Sequence, residues 1–87
     1  MSDETLLKFP CSVPIKMMGR ADGVFTDTAV ALVERHVGEV AEDSIQTSKS
    51  RNGNFLSVTV TIDAQSQEQL DNIYNDLSNH EDILVVL

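Results

Sequence analysis

His36, His80 and Cys11 are the side chains of this chain best suited to metal binding or nucleophilic chemistry, and their spacing supports neither. A protein metal site draws several His, Cys, Asp or Glu ligands together at short, regular intervals. Neither histidine has a cysteine or a second histidine at such an interval, and a histidine at a helix C-terminus is accounted for by the helix dipole. An iron–sulfur cluster takes about four cysteines, and the chain has one. Cys11 follows Pro10 with no histidine close in sequence, which reads as a small, half-buried apolar residue rather than an activated thiol. Ser-His-Asp combinations can be drawn at will in a chain with this many serines, so none is assigned. No catalytic, metal or cofactor residue follows from these patterns, and the chain is expected not to be an enzyme.

Composition narrows the partners. The 87 residues carry 6 basic and 14 acidic side chains, for a formal net charge of -8. All six bases lie within the first 51 positions, whereas the last 36 hold six acids and no base. Nucleic-acid binding draws its affinity from Lys and Arg neutralising phosphates, so a chain of this charge is expected to bind no nucleic acid. An anionic membrane surface is disfavoured for the same reason. No apolar run approaches the roughly 18–20 residues of a membrane span. The acidic start, Met1-Ser2-Asp3-Glu4, is unlike a signal peptide. A lone cysteine cannot form an internal disulfide, which points to a reducing, cytoplasmic setting.

The apolar periodicity defines a scaffold in six elements. Residues 1–12 are expected to form a flexible tail and residues 13–87 a single domain. Val13 to Met18 alternates as a strand, and Gly19-Arg20-Ala21-Asp22-Gly23 reads as a loop. Phe25, Ala29, Leu32, Val33 and Val37 fall on one helical stripe, stopped at Gly38. Ser44 to Ser50 is a short polar edge strand, and Asn52-Gly53 is the signal of a two-residue hairpin. Leu56, Val58, Val60 and Ile62 then share one face of a strand, with Phe55, Ser57, Thr59 and Thr61 on the other. Ser66 and Gln69 match a capping box ahead of a second helix with Leu70, Ile73, Tyr74 and Leu77 inward. Ile83 to Leu87 is apolar on both faces and reads as a last strand.

Strand, helix, strand, strand, helix, strand is the order of a ferredoxin-like βαββαβ sandwich: an α+β fold with a four-stranded antiparallel sheet and two helices on one face. Right-handed crossovers put the first and third strands in the centre. The opposite face is left uncovered and presents Lys16, Met18, Phe55, Ser57, Thr59 and Thr61. The last strand adds Leu84 and Val86 or its alternate set, and Met18, Phe55, Leu84 and Val86 are taken as the candidate interface. Exposed apolar patches of this kind mark contact sites. Three covers are open: a second copy of the chain in a homodimer, a different protein, or the N-terminal tail through Leu6, Leu7 and Phe9.

The segment from Gly19 to Thr26 superficially resembles the phosphate-binding loop of the acylphosphatases, which share this fold. In that family an arginine follows the phenylalanine; here Thr26 stands there and Asp22 adds a negative charge, so that activity is not expected.

A second resemblance spans nearly the whole chain. Phe9-Pro10, Ile15-Lys16-Met17-Met18-Gly19, the run from Ser50 to Ala64 and the closing Val85-Val86-Leu87 resemble the YbeD-like family of small uncharacterised bacterial proteins. The resemblance implies a sandwich similar to the ACT regulatory domains, which bind small effectors at the loop between the first strand and first helix. Carried onto this chain, that loop holds Gly19, Arg20, Asp22 and Gly23. Glycine would admit a ligand close to the backbone, Arg20 would hold a carboxylate and Asp22 an amine. The expected function is a non-catalytic regulatory module sensing a small-molecule effector. The alternative is an interaction adaptor docking through the open sheet face or the acidic second helix.

Overall fold

The computed structural model describes residues 8–87. Leu6 and Leu7 of the expected tail therefore lie outside the described residues. The elements are β1 (Cys11–Arg20), α1 (Phe25–Val37), β2 (Ile45–Lys49), β3 (Phe55–Ala64), α2 (Gln67–Ser78) and β4 (Val85–Val86), with one 3₁₀ turn at Glu42–Ser44. The strands form one antiparallel sheet in the order β2-β3-β1-β4, as the βαββαβ reading requires.

The centre of the sheet is a ladder of ten consecutive pairs between β1 and β3, from Cys11 opposite Ala64 to Arg20 opposite Phe55, with no residue skipped. Side chains alternate along a strand and paired residues share a face, so this register sorts both strands at once. Ile15, Met17, Val58 and Val60 are fully buried on one side, where Ala29 and Val33 of α1 and Ile73 and Leu77 of α2 pack onto them. Lys16, Thr61 and Asp63 on the other side are exposed. Pro14 fits because Lys16 and Met18 turn their backbone groups to Leu87 and Leu84. By the same parity its missing N–H falls on the side away from β3, beyond the Lys16–Leu87 pair.

Both helices end as their sequences indicate. α1 stops at Gly38, whose N–H donates to the Glu34 carbonyl at 2.9 Å. At the start of α2, the Gln69 N–H donates to Ser66 Oγ at 3.0 Å. The return arm of the expected capping box lands one residue early: Gln69 Oε1 accepts from the Gln65 N–H at 2.8 Å, not from Ser66. The Gln69 amide also donates to the His36 carbonyl at 3.3 Å, tying the start of α2 to the end of α1.

Four expectations are corrected. The domain begins before residue 13, since Cys11 and Ser12 are already paired in β1 and Phe9 packs against the core instead of crossing the open face. Gly19 and Arg20 belong to β1, not to a loop. The hairpin is longer than two residues. Ser50 pairs with Phe55 and the Gly53 N–H reaches back to the Ser50 carbonyl at 2.9 Å, so Arg51 to Asn54 form the loop. Only Gly53 there has positive φ, at 77°, whereas a two-residue type I′ turn would need Asn52 there as well. The fourth concerns β4, which is two residues long. Val86 pairs with Met17, so it faces the helices and packs against the core. Leu84 lies outside the strand, 48% exposed, and borders a cleft with Phe25. Val85, opposite Met18, and Leu87, bonded to Lys16, are the members of the open face.

Gly19 is buried where Phe25 lies across β1. A Cβ added there would collide with the Phe25 ring and stand 2.7 Å from the Asp82 carbonyl oxygen. Gly19→Ala is expected to lower unfolding stability by about 1–3 kcal/mol, the range for overpacking a close-packed core. Pairing it with Phe25→Leu should recover part of the loss in urea melts; strictly additive losses would refute the contact.

Candidate functional site

The open face is built by the side chains that the central ladder turns away from the helices. Met18 sits in its middle, with Ser57 opposite on β3 and Val85 opposite on β4. Two residues to one side, Lys16 lies between Thr59 and Leu87; two residues to the other, Arg20 lies beside Phe55. Phe55, Val85 and Leu87 are 39%, 43% and 65% exposed, and Met18 is half-buried among them. A shallow depression of about 170 Å³ opens here, with Lys16, Met18, Ser48, Phe55 and Ser57 in its lining. The Ser57 hydroxyl donates weakly to the Ser48 carbonyl at 3.4 Å.

The other candidate, the turn between β1 and α1, is tied up by its own bonds. The Val24 N–H donates to Asp22 Oδ1 at 3.0 Å, an Asx turn that supports the entry to α1. The Ala21 N–H donates to the Asn54 carbonyl at 3.0 Å, fastening the turn to the hairpin. Gly19 makes its close approach to Phe25, not to free space. Gly23 is exposed with φ of 90° and nothing beside it. A cleft of about 60 Å³ remains between this turn and the 81–84 segment, lined by Arg20, Asp22, Phe25, Asp82 and Leu84 among others. Small-molecule sites usually offer roughly 300 Å³ or more. Arg20 and Asp22 thus do border one cleft, while Gly19 and Gly23 contribute no ligand-facing backbone to it.

The histidines separate in role. The His36 Nε2–H donates to Asp76 Oδ2 at 2.9 Å, joining α1 to α2 across the helical layer, and Arg35 Nη1 stands 3.9 Å from the same oxygen. This hydrogen bond holds the Asp76 carboxyl below the ordinary carboxylate range, against the opposing effect of partial burial and with help from the Arg35 charge. A carboxylate orienting a histidine is also half of a hydrolytic triad. Here the nitrogen bonded to the carboxylate is Nε2, and none of the hydrogen bonds of the described residues links His36 to a hydroxyl or thiol. The pair is an interhelical clasp. His80 accepts the Asp82 N–H on Nδ1 at 3.1 Å and shapes the turn into β4. Among the described residues, no three His, Cys, Asp or Glu side chains gather at metal-binding distance, and no helix is long and apolar enough to cross a membrane.

The clasp joins residues forty positions apart and left no trace in either helix's own pattern. Val85 and Leu87 belong to the alternate set that the sequence left open, because the last strand is apolar at every position and its parity could not be read. The flanking of Met18 by Lys16 and Arg20 was present in the alternation of β1, had the strand been extended to Arg20.

Residues 4–87 match the family model described as "protein of unknown function (DUF493)". The chain is 42% identical over 85 residues to a UPF0250 protein of Paraburkholderia phytofirmans, covering 98% of this chain and 96% of that one. The chain belongs to the DUF493/UPF0250 family. A further UPF0250 protein, NE1487 of Nitrosomonas europaea, is 36% identical over 87 residues and the full length of both chains. The YbeD-like resemblance carried by Phe9-Pro10 and the Ser50–Ala64 run is thereby confirmed. The solution structure of protein HP0495 from H. pylori superimposes with a TM-score of 0.72 at 17% identity, covering 100% of this chain and 93% of that one. That likeness shows that the two chains share a fold, and it assigns no activity.

The lowered Asp76 pKa means that the folded protein binds its proton less readily than the unfolded chain, so the clasp stabilises above the ordinary carboxylate pKa and is lost as acidification passes through the folded-state value. Asp76→Asn should cost about 1 kcal/mol or less near neutral pH, as for a partly exposed pair. Below about pH 4 its melting curve should converge on that of the parent. A constant gap between the two down to pH 2 would show that Asp76 acts by packing instead.

Proposed function

We propose that this UPF0250 protein is a non-catalytic interaction module that docks a protein partner through the uncovered face of its sheet. The observation that carries this reading is the exposure of Phe55, Val85 and Leu87 around Met18 on a face that neither helix approaches. In a chain of this size, apolar side chains left on a central sheet face forgo burial worth roughly 25 cal/mol per Å². Contact with a partner recovers that term, and a cluster framed by charged and hydroxyl groups is the anatomy of an interface: an apolar centre with a polar rim.

Effector sensing at the β1–α1 turn is the second reading. It draws support from Arg20, Asp22 and Asp82 bordering one cleft, a set matched to a molecule with both a carboxylate and an amine. The volume of about 60 Å³ weighs against it.

Capture of a partner from bacterial lysate by the tagged chain is expected to be lost with Met18→Lys or Val85→Lys, each placing a charge in the apolar centre, with little change in melting temperature. Glu68→Lys on the outer side of α2 should leave capture intact. Loss with Glu68→Lys and retention with Met18→Lys would move docking to the acidic helix. The effector reading predicts a rise in melting temperature with free amino acids, worth about 2.7 kcal/mol at a hundredfold excess over Kd. A flat response across the set removes it.

A further inference from the structure

The chain's charges are divided by the sheet in a way that its net value of -8 conceals. On the open face Lys16 and Arg20 stand exposed on β1. Lys49 and Arg51 lie at the adjoining hairpin end, where Lys49 borders the depression but is paired with Leu56 and so takes a helix-side position in the register. On the strands of that face, Asp63 is the sole acid and it sits at the opposite end, opposite Ser12. Glu34, Glu68, Asp71 and Asp76 belong to the helical layer, while Asp22, Glu81 and Asp82 border the small cleft that Arg20 also lines at the edge of the face. Among the described residues the ion pairs are those of Arg35 and His36 with Asp76, so Lys16 and Arg20 engage no carboxylate within 4.0 Å.

We propose that the open face receives an acidic polypeptide segment whose carboxylates flank an apolar side chain. This rests on the docking reading above and adds the partner's chemistry. Lys16 and Arg20 are four residues apart on one strand, about 13 Å at the strand rise of roughly 3.3 Å per residue, with Met18 centred between them. A segment with acids about 13 Å apart and an aliphatic or aromatic group between them matches both features. The hydroxyls of Ser57 and Thr59 beside Met18 and Lys16 supply further donors to a carboxylate.

Charge also sorts the other occupants. A second copy docked face to face with Met18 over Met18 would bring Lys16 and Arg20 against their own kind, and like charges across an interface are costly. A nucleic-acid strand would satisfy the two cations, but its closely spaced phosphates would meet a chain of net charge -8, and Phe55 is the one aromatic on the face for bases to stack on. A polypeptide with few, separated carboxylates brings less like charge. Its overall repulsion from this chain is screened beyond roughly 8 Å at physiological salt, whereas the contacts with Lys16 and Arg20 lie inside that distance.

The full chain, labelled with nitrogen-15, tests this by titration with three synthetic peptides of equal length that differ only at two positions four residues apart around a central leucine: Glu, Gln or Lys. The Glu peptide is expected to shift the amides of Met18, Ser57, Thr59 and Val85 and to bind about five- to tenfold more tightly than the Gln peptide. Combined Lys16→Gln and Arg20→Gln should erase that preference while Arg35→Gln preserves it. Equal binding of the Glu and Gln peptides at this face overturns the acidic assignment and leaves the docking reading standing. Shifts confined to α1 and α2, or no shift with any peptide, also overturn it. A thymidine oligonucleotide that shifts the same amides at least as strongly as the Glu peptide would assign the face to nucleic acid instead.

Discussion

The unbroken pairing of β1 with β3 is the constraint on which the rest of the molecule depends. Because every residue from Cys11 to Arg20 has a partner and none is bulged out, the two strands cannot exchange faces anywhere along their length. Ile15, Met17, Val58 and Val60 must all go under the helices, and Lys16, Met18, Ser57 and Thr59 must all stay out. A slip of one residue would put lysine and threonine into the core and four large aliphatic side chains into water. Core and contact surface are therefore one decision, made by the register.

The helical layer is fastened on the opposite side by different means. Gln69 bridges the start of α2 to the end of α1, and the His36–Asp76 clasp joins the helices through their side chains. Phe25 lies over Gly19, where no side chain intervenes, and closes the layer at the end where β1 leaves the sheet. Glu68 and Asp71 lie exposed on α2 and Asp76 is held in the clasp, while Lys16 and Arg20 stand on the sheet's other side. The result is a small domain of strongly negative net charge with one cationic, partly apolar face.

Much of this arrangement could be read from residue order alone. The run from Phe55 to Asp63 alternates so regularly in β-branched residues that strand, face and depth follow from it, and the stripe from Leu70 to Leu77 sets α2 with its Ser66 cap. What could not be read depended on partners distant in sequence or on patterns without contrast. β4 is apolar on both sides, so only its pairing with Met17 and Met18 reveals that Val85 rather than Val86 joins the open face. Gly19 looked like the beginning of a loop, yet it is a strand residue whose missing side chain makes room for Phe25 six positions on. The β1–α1 turn had the residue types of a small-ligand site, but Asp22 Oδ1 already accepts the Val24 N–H and the cleft beside it is only about 60 Å³. The segregation of charge became visible only when register placed Lys16 and Arg20 on the same side.

The most direct measurement is attenuation of side-chain methyl signals by a soluble paramagnetic gadolinium chelate in the dilute, unpartnered protein. One-sided helical cover requires strong attenuation for Met18, Thr59, Thr61 and Val85, together with protection of Ile15, Met17, Val58 and Val60. Protection of both sets, or attenuation of Val58 and Val60, would contradict it.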